Sequence, residues 1–264
     1  MKKGFTLIEL SIVLVIIGLI IGSVLVGRDL IKASEIRAQV SQIEKYNAAI
    51  NTFRTKYGGL PGDLKYTDAS AFGLYAITYA PYIGYFGYGD GSGILHKANG
   101  ATNVPHNTTE LFGEPFMFWR HLSDANLIEG GIGRALNTAA ERTTTVPNDY
   151  FPTAKVGINA TIQANSPGDG QHYFVLATVN SMTGTGANGT SQNTLTAQEA
   201  YQIDSKIDDG LLGSGVVFAI NGSNSLNVYS TWTTVSAVAG CVASSAYALS
   251  PGTTQSCGLR FKFQ

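Results

Sequence analysis

From Leu10 to Val26 the chain carries no charged residue, and Ser11, Gly18, Gly22 and Ser23 are the only breaks in an aliphatic run. Counted from Phe5, the stretch is 22 residues long, close to the ~20 that a helix needs to cross bilayer hydrocarbon. Lys2 and Lys3 precede it, so the positive-inside rule predicts a single span with the N-terminus in the cytoplasm and everything after Val26 outside. A secretory signal peptide fits badly, because the apolar region is too long and no Ala-x-Ala-like site follows it. A plain single-span anchor accounts for the length but not for Glu9, a carboxylate at the edge of the apolar stretch. A charge there is costly and calls for a partner.

The residues around Glu9 make the pattern specific. Lys2-Lys3-Gly4-Phe5-Thr6-Leu7-Ile8-Glu9-Leu10 resembles the processing site of type IV prepilins and type II secretion pseudopilins. The resemblance implies that a prepilin peptidase cuts between Gly4 and Phe5 and that Phe5, as the new N-terminus, is methylated. It also implies that Glu9 pairs with the N-terminal ammonium of a neighbouring subunit. The physics agrees, since two charges each costly in lipid neutralise one another only when subunits meet, which favours assembly and sets axial register. The partners implied are other pilins or pseudopilins, the prepilin peptidase and an inner-membrane assembly platform. Many type IV pilins carry a helix-breaking Pro in the membrane half, and Val26 stands there in this chain.

Beyond the membrane the helix is predicted to continue. Ile36, Val40, Ile43, Ile50, Phe53 and Tyr57 recur at helical spacings, with Arg37, Gln39, Glu44, Lys45 and Arg54 between them. Gly58-Gly59 and Pro61 then stop it. One rod of about 50 residues, roughly 75 Å at 1.5 Å per residue, should run from Phe5 to near Tyr57. The expected division is a leader over 1–4, the rod over 5–57 and a globular head over 58–264.

In the head, Gly59-Leu60-Pro61-Gly62-Asp63-Leu64 and the stretch from Phe118 to Ile128 resemble segments of a subset of larger pilin-like proteins. The tyrosines between 66 and 100 lie among glycines in a segment read as irregular chain packed over the head. Pro115 suits the first turn of a helix with Phe116, Trp119, Leu122 and Leu127 on one side. Lys155 to Gln163, His172 to Val179, Gly215 to Asn221, Asn227 to Thr233 and Leu259 to Phe263 read as short strands. Thr196-Ala197-Gln198-Glu199 has the form of a capping box, opening a short helix that Gly210 ends. The fold class expected is α+β, a long N-terminal helix packed against a mainly antiparallel sheet with short extra helices.

Charged residues are only 13% of the chain and the formal net charge is -1, so no basic footprint for nucleic acid exists and the balance is that of an exported protein. Cys241 and Cys257 are the only cysteines, and in an exported chain an even pair reads as one disulfide. No nucleophile elbow, His-Glu-x-x-His pair, Cys-x-x-Cys or phosphate loop occurs, so no enzymatic activity is expected. Gly184-Thr185-Gly186-Ala187-Asn188-Gly189 matches a dinucleotide glycine pattern but reads as a flexible loop. His96, His106, His121 and His172 are scattered without ligand spacing.

One local conflict stands out. Asp204 and Asp208 are one turn apart, and with Asp209 they end a helix where the dipole disfavours negative charge. A structural Ca²⁺ would resolve it, because carboxylates and end-of-helix carbonyls are hard oxygen ligands. A solvated acidic turn partly offset by Lys206 is the alternative, and Asp90-Gly91-Ser92-Gly93 is a weaker oxygen-rich loop of the same type. The function expected is a filament subunit of a type IV pilus or type II secretion-like pseudopilus, held in the inner membrane before assembly. The rival is a low-copy minor pilin whose head binds a surface, DNA or a secreted substrate.

Overall fold

The computed structural model describes residues 6–76, 89–95, 114–132, 147–166, 170–179, 191–192, 194–220, 240–243, 246–249 and 254–263. One helix, α1 (Leu7–Tyr57), runs unbroken for 51 residues. No proline interrupts it, and it ends where Gly58 adopts the left-handed conformation, φ 77°, and donates its N–H to the Arg54 carbonyl. Its two halves differ in surroundings. Every large aliphatic side chain from Leu7 to Ile31 is exposed, whereas Ile36, Ile43, Ile50, Phe53 and Tyr57 are buried in the head. The first half is apolar enough, by length and composition, to cross a membrane.

The buried stripe is wider than the apolar spacing alone predicts. Gln39 is fully buried, not outward, because its Oε1 accepts the Lys155 N–H at 2.7 Å. Gln42 donates to the Thr153 carbonyl at 2.9 Å and to the Tyr46 hydroxyl. These amides bond the Thr153 carbonyl and the Lys155 N–H, beside the isolated bridge between Thr153 and Thr161, so polar side chains serve the core face.

The head is α+β. Helices α2 (Tyr66–Ala71), α3 (Glu114–Asp124) and α4 (Ala197–Ile207) accompany strands β1 (Ala160–Asn165), β2 (His172–Val179), β3 (Ser191–Gln192), β4 (Val217–Ile220), β5 (Val242–Ala243), β6 (Ala246–Tyr247) and β7 (Gly258–Phe263). The main sheet is antiparallel in the order β1-β2-β7-β4, with β3 on the end of β2, and β5-β6 form a separate hairpin. The C-terminal strand therefore lies inside the sheet.

Trp119 and Phe118 of α3, Tyr46 and Phe53 of α1, and Phe174 and Phe263 of the sheet form the centre of the core. Tyr46 meets Trp119 edge-on at 4.9 Å between centroids, and Phe174 stacks on Phe263 at 4.4 Å.

Several expectations need adjusting. Tyr66 opens a short helix, α2, inside the segment read as irregular. The strand expected from Lys155 begins at Ala160, because Gly157 (φ 87°) and Asn159 (φ 52°) turn the chain first. Arg260, which alternates with Leu259 and Phe261 along β7 as an outward residue of a half-buried strand would, is 6% exposed, with its guanidinium 4.4 Å from the Phe218 ring centroid and 4.8 Å from that of Tyr173. Stacking on two rings makes that burial tolerable for a cation. The strand expected over Asn227 to Thr233 and the glycine pattern at Gly184–Gly189 lie outside the described residues.

Candidate functional site

Glu9 is the third residue of α1, and it closes a capping box with Thr6. Thr6 is extended (φ -80°, ψ 152°), and its hydroxyl oxygen accepts the Glu9 N–H at 3.3 Å. In return, Glu9 Oε2 accepts the Thr6 N–H at 2.8 Å and the Thr6 hydroxyl at 2.7 Å. The sequence favours this because Thr and Glu three apart satisfy two of the N–H groups that any helix start leaves free. Among the described residues, the bonds to the Glu9 carboxylate fall on Oε2 and come from the neutral donors of Thr6, so the carboxylate keeps accepting capacity on Oε1. Gly4 and Phe5 lie outside the described residues.

Behind this cap, the large aliphatic side chains from Leu7 to Ile31 are exposed among the described residues. Leu7 is 87% exposed and Leu19 70%. Soluble monomers rarely show an apolar surface this continuous, which fits lipid or other helices around it. Where the flank ends, Lys32 Nζ sits 3.2 Å from Glu199 Oε1, tying the rod to the start of α4.

At the acidic turn, α4 stops at Ile207, ahead of the Gly210 expected to end it. Thr196 and Glu199 form the capping box of α4, and Asp208 is its C-cap. One carboxylate oxygen from each of Asp204, Asp208 and Asp209 lies within 4.8 Å of the other two. Each also meets protein donors. Asp204, fully buried, accepts the Tyr247 hydroxyl at 2.8 Å and the Gly210 N–H at 3.3 Å. Asp208 Oδ2 accepts from the N–H groups of Val216 and Val217. Asp209 accepts the Ser214 hydroxyl at 2.5 Å and the Leu211 N–H at 2.8 Å. Burial pushes the Asp204 carboxyl up to about 6, with the charges of Asp209 and Asp208 adding to it against the pull of the Tyr247 and Gly210 donors.

A second grouping appears that the sequence reading located only in part. Asp63, Asp90 and Glu114 bring carboxylate oxygens within 4.8 Å of one another. Asp63 Oδ1 accepts the N–H groups of Gly91 and Ser92, and Oδ2 accepts that of Gly93 at 2.7 Å. Asp63 is thus the internal anion of a nest formed by the glycine-rich loop. Burial, then the neighbouring Asp90, raise it to about 6. Next to it the Gly62 N–H donates to His121 Nδ1 at 2.9 Å, and His121 Nε2 faces the Tyr75 carbonyl at 2.9 Å. The first bond makes Nδ1 the acceptor, so His121 is neutral with its proton on Nε2. Burial lowers it to about 4. Gly62 itself has φ 87°, and a Cβ there would overlap the Glu114 carbonyl and the Phe118 N–H. The glycine spacing at 89–93 was the available sign of a nest; nothing local tied Asp63 and Glu114 to it.

These groups set an acid response. Asp204 and Asp63 have raised folded values, so their contribution is full below the ordinary 3.8 and is lost as pH rises through about 6. His121 acts oppositely: its contribution is present above 6.5 and is lost as pH falls toward about 4. Asp204→Asn keeps one acceptor oxygen in place of the two that separately take the Tyr247 hydroxyl and the Gly210 N–H, and it removes one acid-side gain. Its denaturation midpoint should therefore drop more steeply than wild type between pH 7 and 5, measured by urea titration of the chain in detergent. Parallel profiles would contradict the shift.

Cys241 and Cys257 form a disulfide with Cα atoms 5.2 Å apart. No curated protein and no solved structure matches the chain. Residues 1–25 match the model of the prokaryotic N-terminal methylation motif. With Glu9 at the third position of a long helix whose first half is apolar and exposed, this N-terminus carries the prepilin signature of type IV pilins and pseudopilins.

Proposed function

We propose that this chain is a structural filament subunit of a type IV pilus or type II secretion-like pseudopilus. A prepilin peptidase removes residues 1–4, and the mature chain polymerises through α1. The observation that carries the reading is the apolar half of α1, exposed throughout and opening on a prepilin motif with a carboxylate in its first turn. Before assembly this half spans the inner membrane, with Lys2 and Lys3 inside and the head outside. After assembly the same surface packs against neighbouring helices, and Glu9 meets the ammonium of another subunit's Phe5. The role is to build, and the reading assigns the chain no catalysis. The test is subunit copy number in purified filaments. Many copies along the shaft are expected; one or a few per filament would favour the minor-pilin reading.

For the acidic turn we propose Ca²⁺ as the ligand. Asp204, Asp208 and Asp209 would hold it, since each carboxylate oxygen bonded to an N–H or O–H donor keeps a second lone pair, and their mutual spacing fits a shared cation. The ion supplies the positive charge that three acidic groups at a helix C-terminus lack. Calcium should then raise the melting temperature in proportion to its logarithm, by ~2.7 kcal/mol of stability at one hundred times the dissociation constant. Mg²⁺ should substitute poorly, because it gives up water reluctantly. Asp208→Asn should abolish the response. Identical wild-type melts in calcium, magnesium and chelator would end the proposal.

A further inference from the structure

We propose that the turn over 155–159, at the end of the head nearest the membrane, rests on the lipid surface in the membrane-held precursor, with Ile158 seated at the boundary of headgroups and acyl chains. The inference rests on the reading of the first half of α1 as a membrane span. The turn closes a short antiparallel pairing, in which Thr153 bridges Thr161, the Ala154 N–H donates to the Ala160 carbonyl and the Ile162 N–H donates to the Pro152 carbonyl, both at 2.9 Å. Its direction is fixed by the rod. The Thr153 carbonyl takes Gln42 and the Lys155 N–H meets Gln39, so the chain descends toward the apolar half of α1 as it enters the turn. On its other side, Thr194 donates its hydroxyl to the Ile158 carbonyl and leads into α4, whose Glu199 pairs with Lys32. The tip of the turn and Lys32 therefore lie at the same end of the head.

Turn tips favour Gly, Asn, Asp, Ser and Pro. Gly157 (φ 87°) and Asn159 (φ 52°) conform, but Ile158 stands between them, 61% exposed. It is held there firmly, because its carbonyl accepts the hydroxyls of Thr178 at 2.9 Å and Thr194 at 3.0 Å. A Cβ at position 157 would overlap the Thr194 hydroxyl oxygen, so only glycine lets the turn sit this close to that threonine. A lone exposed aliphatic side chain is ordinary on a soluble surface; the place of this one supplies its partner. Leu30 and Ile31 carry the exposed aliphatic surface of α1 past Val26, into a headgroup layer roughly 5–7 Å deep beyond the hydrocarbon. The turn reaches past Gln39 toward the level of Ile36, about 8 Å above Ile31 at 1.5 Å per residue. A tilt of ~20° toward the turn, ordinary for a spanning helix, lowers the tip onto the headgroups. The charges at this end balance, Arg28, Lys32 and Lys155 against Asp29, Glu35 and Glu199, so apolar burial provides the attraction. Interfacial anchors set the tilt and rotation of a spanning helix, and this one fixes which way the head leans before assembly.

The test is depth-dependent quenching on the full chain in vesicles of phosphatidylethanolamine and phosphatidylglycerol. The cysteines of the chain are bonded to each other, so Ile158→Cys adds the one thiol able to take a polarity-sensitive fluorophore. Leu19→Cys and Phe72→Cys serve as references. Leu19 lies in the apolar run, and Phe72 packs on Tyr57 at the far end of the rod, with ring centroids 5.1 Å apart. The probe at 158 should shift to shorter wavelength and lose most of its emission to a nitroxide lipid labelled at headgroup level, while the probe at 72 keeps its emission. A probe at 158 that behaves like the one at 72 would overturn the proposal. A probe at 19 untouched by a nitroxide deep in the acyl layer would instead remove the span on which the proposal rests.

Discussion

Glu9→Ala should leave the amount of membrane-inserted precursor unchanged and reduce filament yield about a hundredfold or more. Insertion is spared because losing a charge makes the segment easier to place in lipid. Assembly fails because the N-terminal ammonium of a neighbouring subunit then sits in an apolar bundle with no counter-charge. Removing one member of a buried pair typically costs about 3–5 kcal/mol, which is roughly two to three and a half powers of ten in an association constant. The position of Glu9 supports this size of effect. Its Oε2 is engaged with Thr6 of its own chain, so the carboxylate is held at the helix start. Normal filament yield from Glu9→Ala, by shearing and electron microscopy, would show that register is set elsewhere.

Replacing both Cys241 and Cys257 with alanine should lower head stability by roughly 3 kcal/mol, the loop-closure figure for about 15 residues. The sequence separation is 16. For a domain of this size that is a fall of roughly 6–12 °C in melting temperature. The bridge is well placed to matter, since both cysteines are fully buried. Cys257 leads directly into β7, the strand between β2 and β4, and its backbone exchanges hydrogen bonds with Leu195 just before α4. The carbonyl of Cys241 takes the Ala248 N–H, so the bridge also holds the β5-β6 hairpin to the sheet. A melt within 2 °C of wild type would mean that packing alone fastens the C-terminal strand.

The parts of the fold legible in the sequence are those fixed by local rules. The 51-residue helix follows from an apolar run, a heptad-like stripe and a glycine stop. Helix α4 follows from Thr196 and Glu199, and β7 from alternating Leu259, Phe261 and Phe263. What was missed depends on distant partners. Gln39 joins the core because of Lys155, 116 residues away, and Arg260 is buried because Tyr173 and Phe218 arrive from two neighbouring strands. Asp63 likewise looks like a loop carboxylate until residues 91–93 close over it. At the N-terminus, Glu9 stood out because it is costly in an apolar setting; its bond to Thr6 was implicit in the spacing of three but was hidden behind the stronger family pattern.

Removal of four residues followed by polymerisation through the new N-terminus is tested most directly by intact-mass analysis of protein from purified filaments. A mass beginning at Phe5 with one added methyl group is the expected result. Filaments built from chains that still begin at Met1 or Lys2 would contradict it, because the ammonium that Glu9 is proposed to meet would then lie four or three residues out of register.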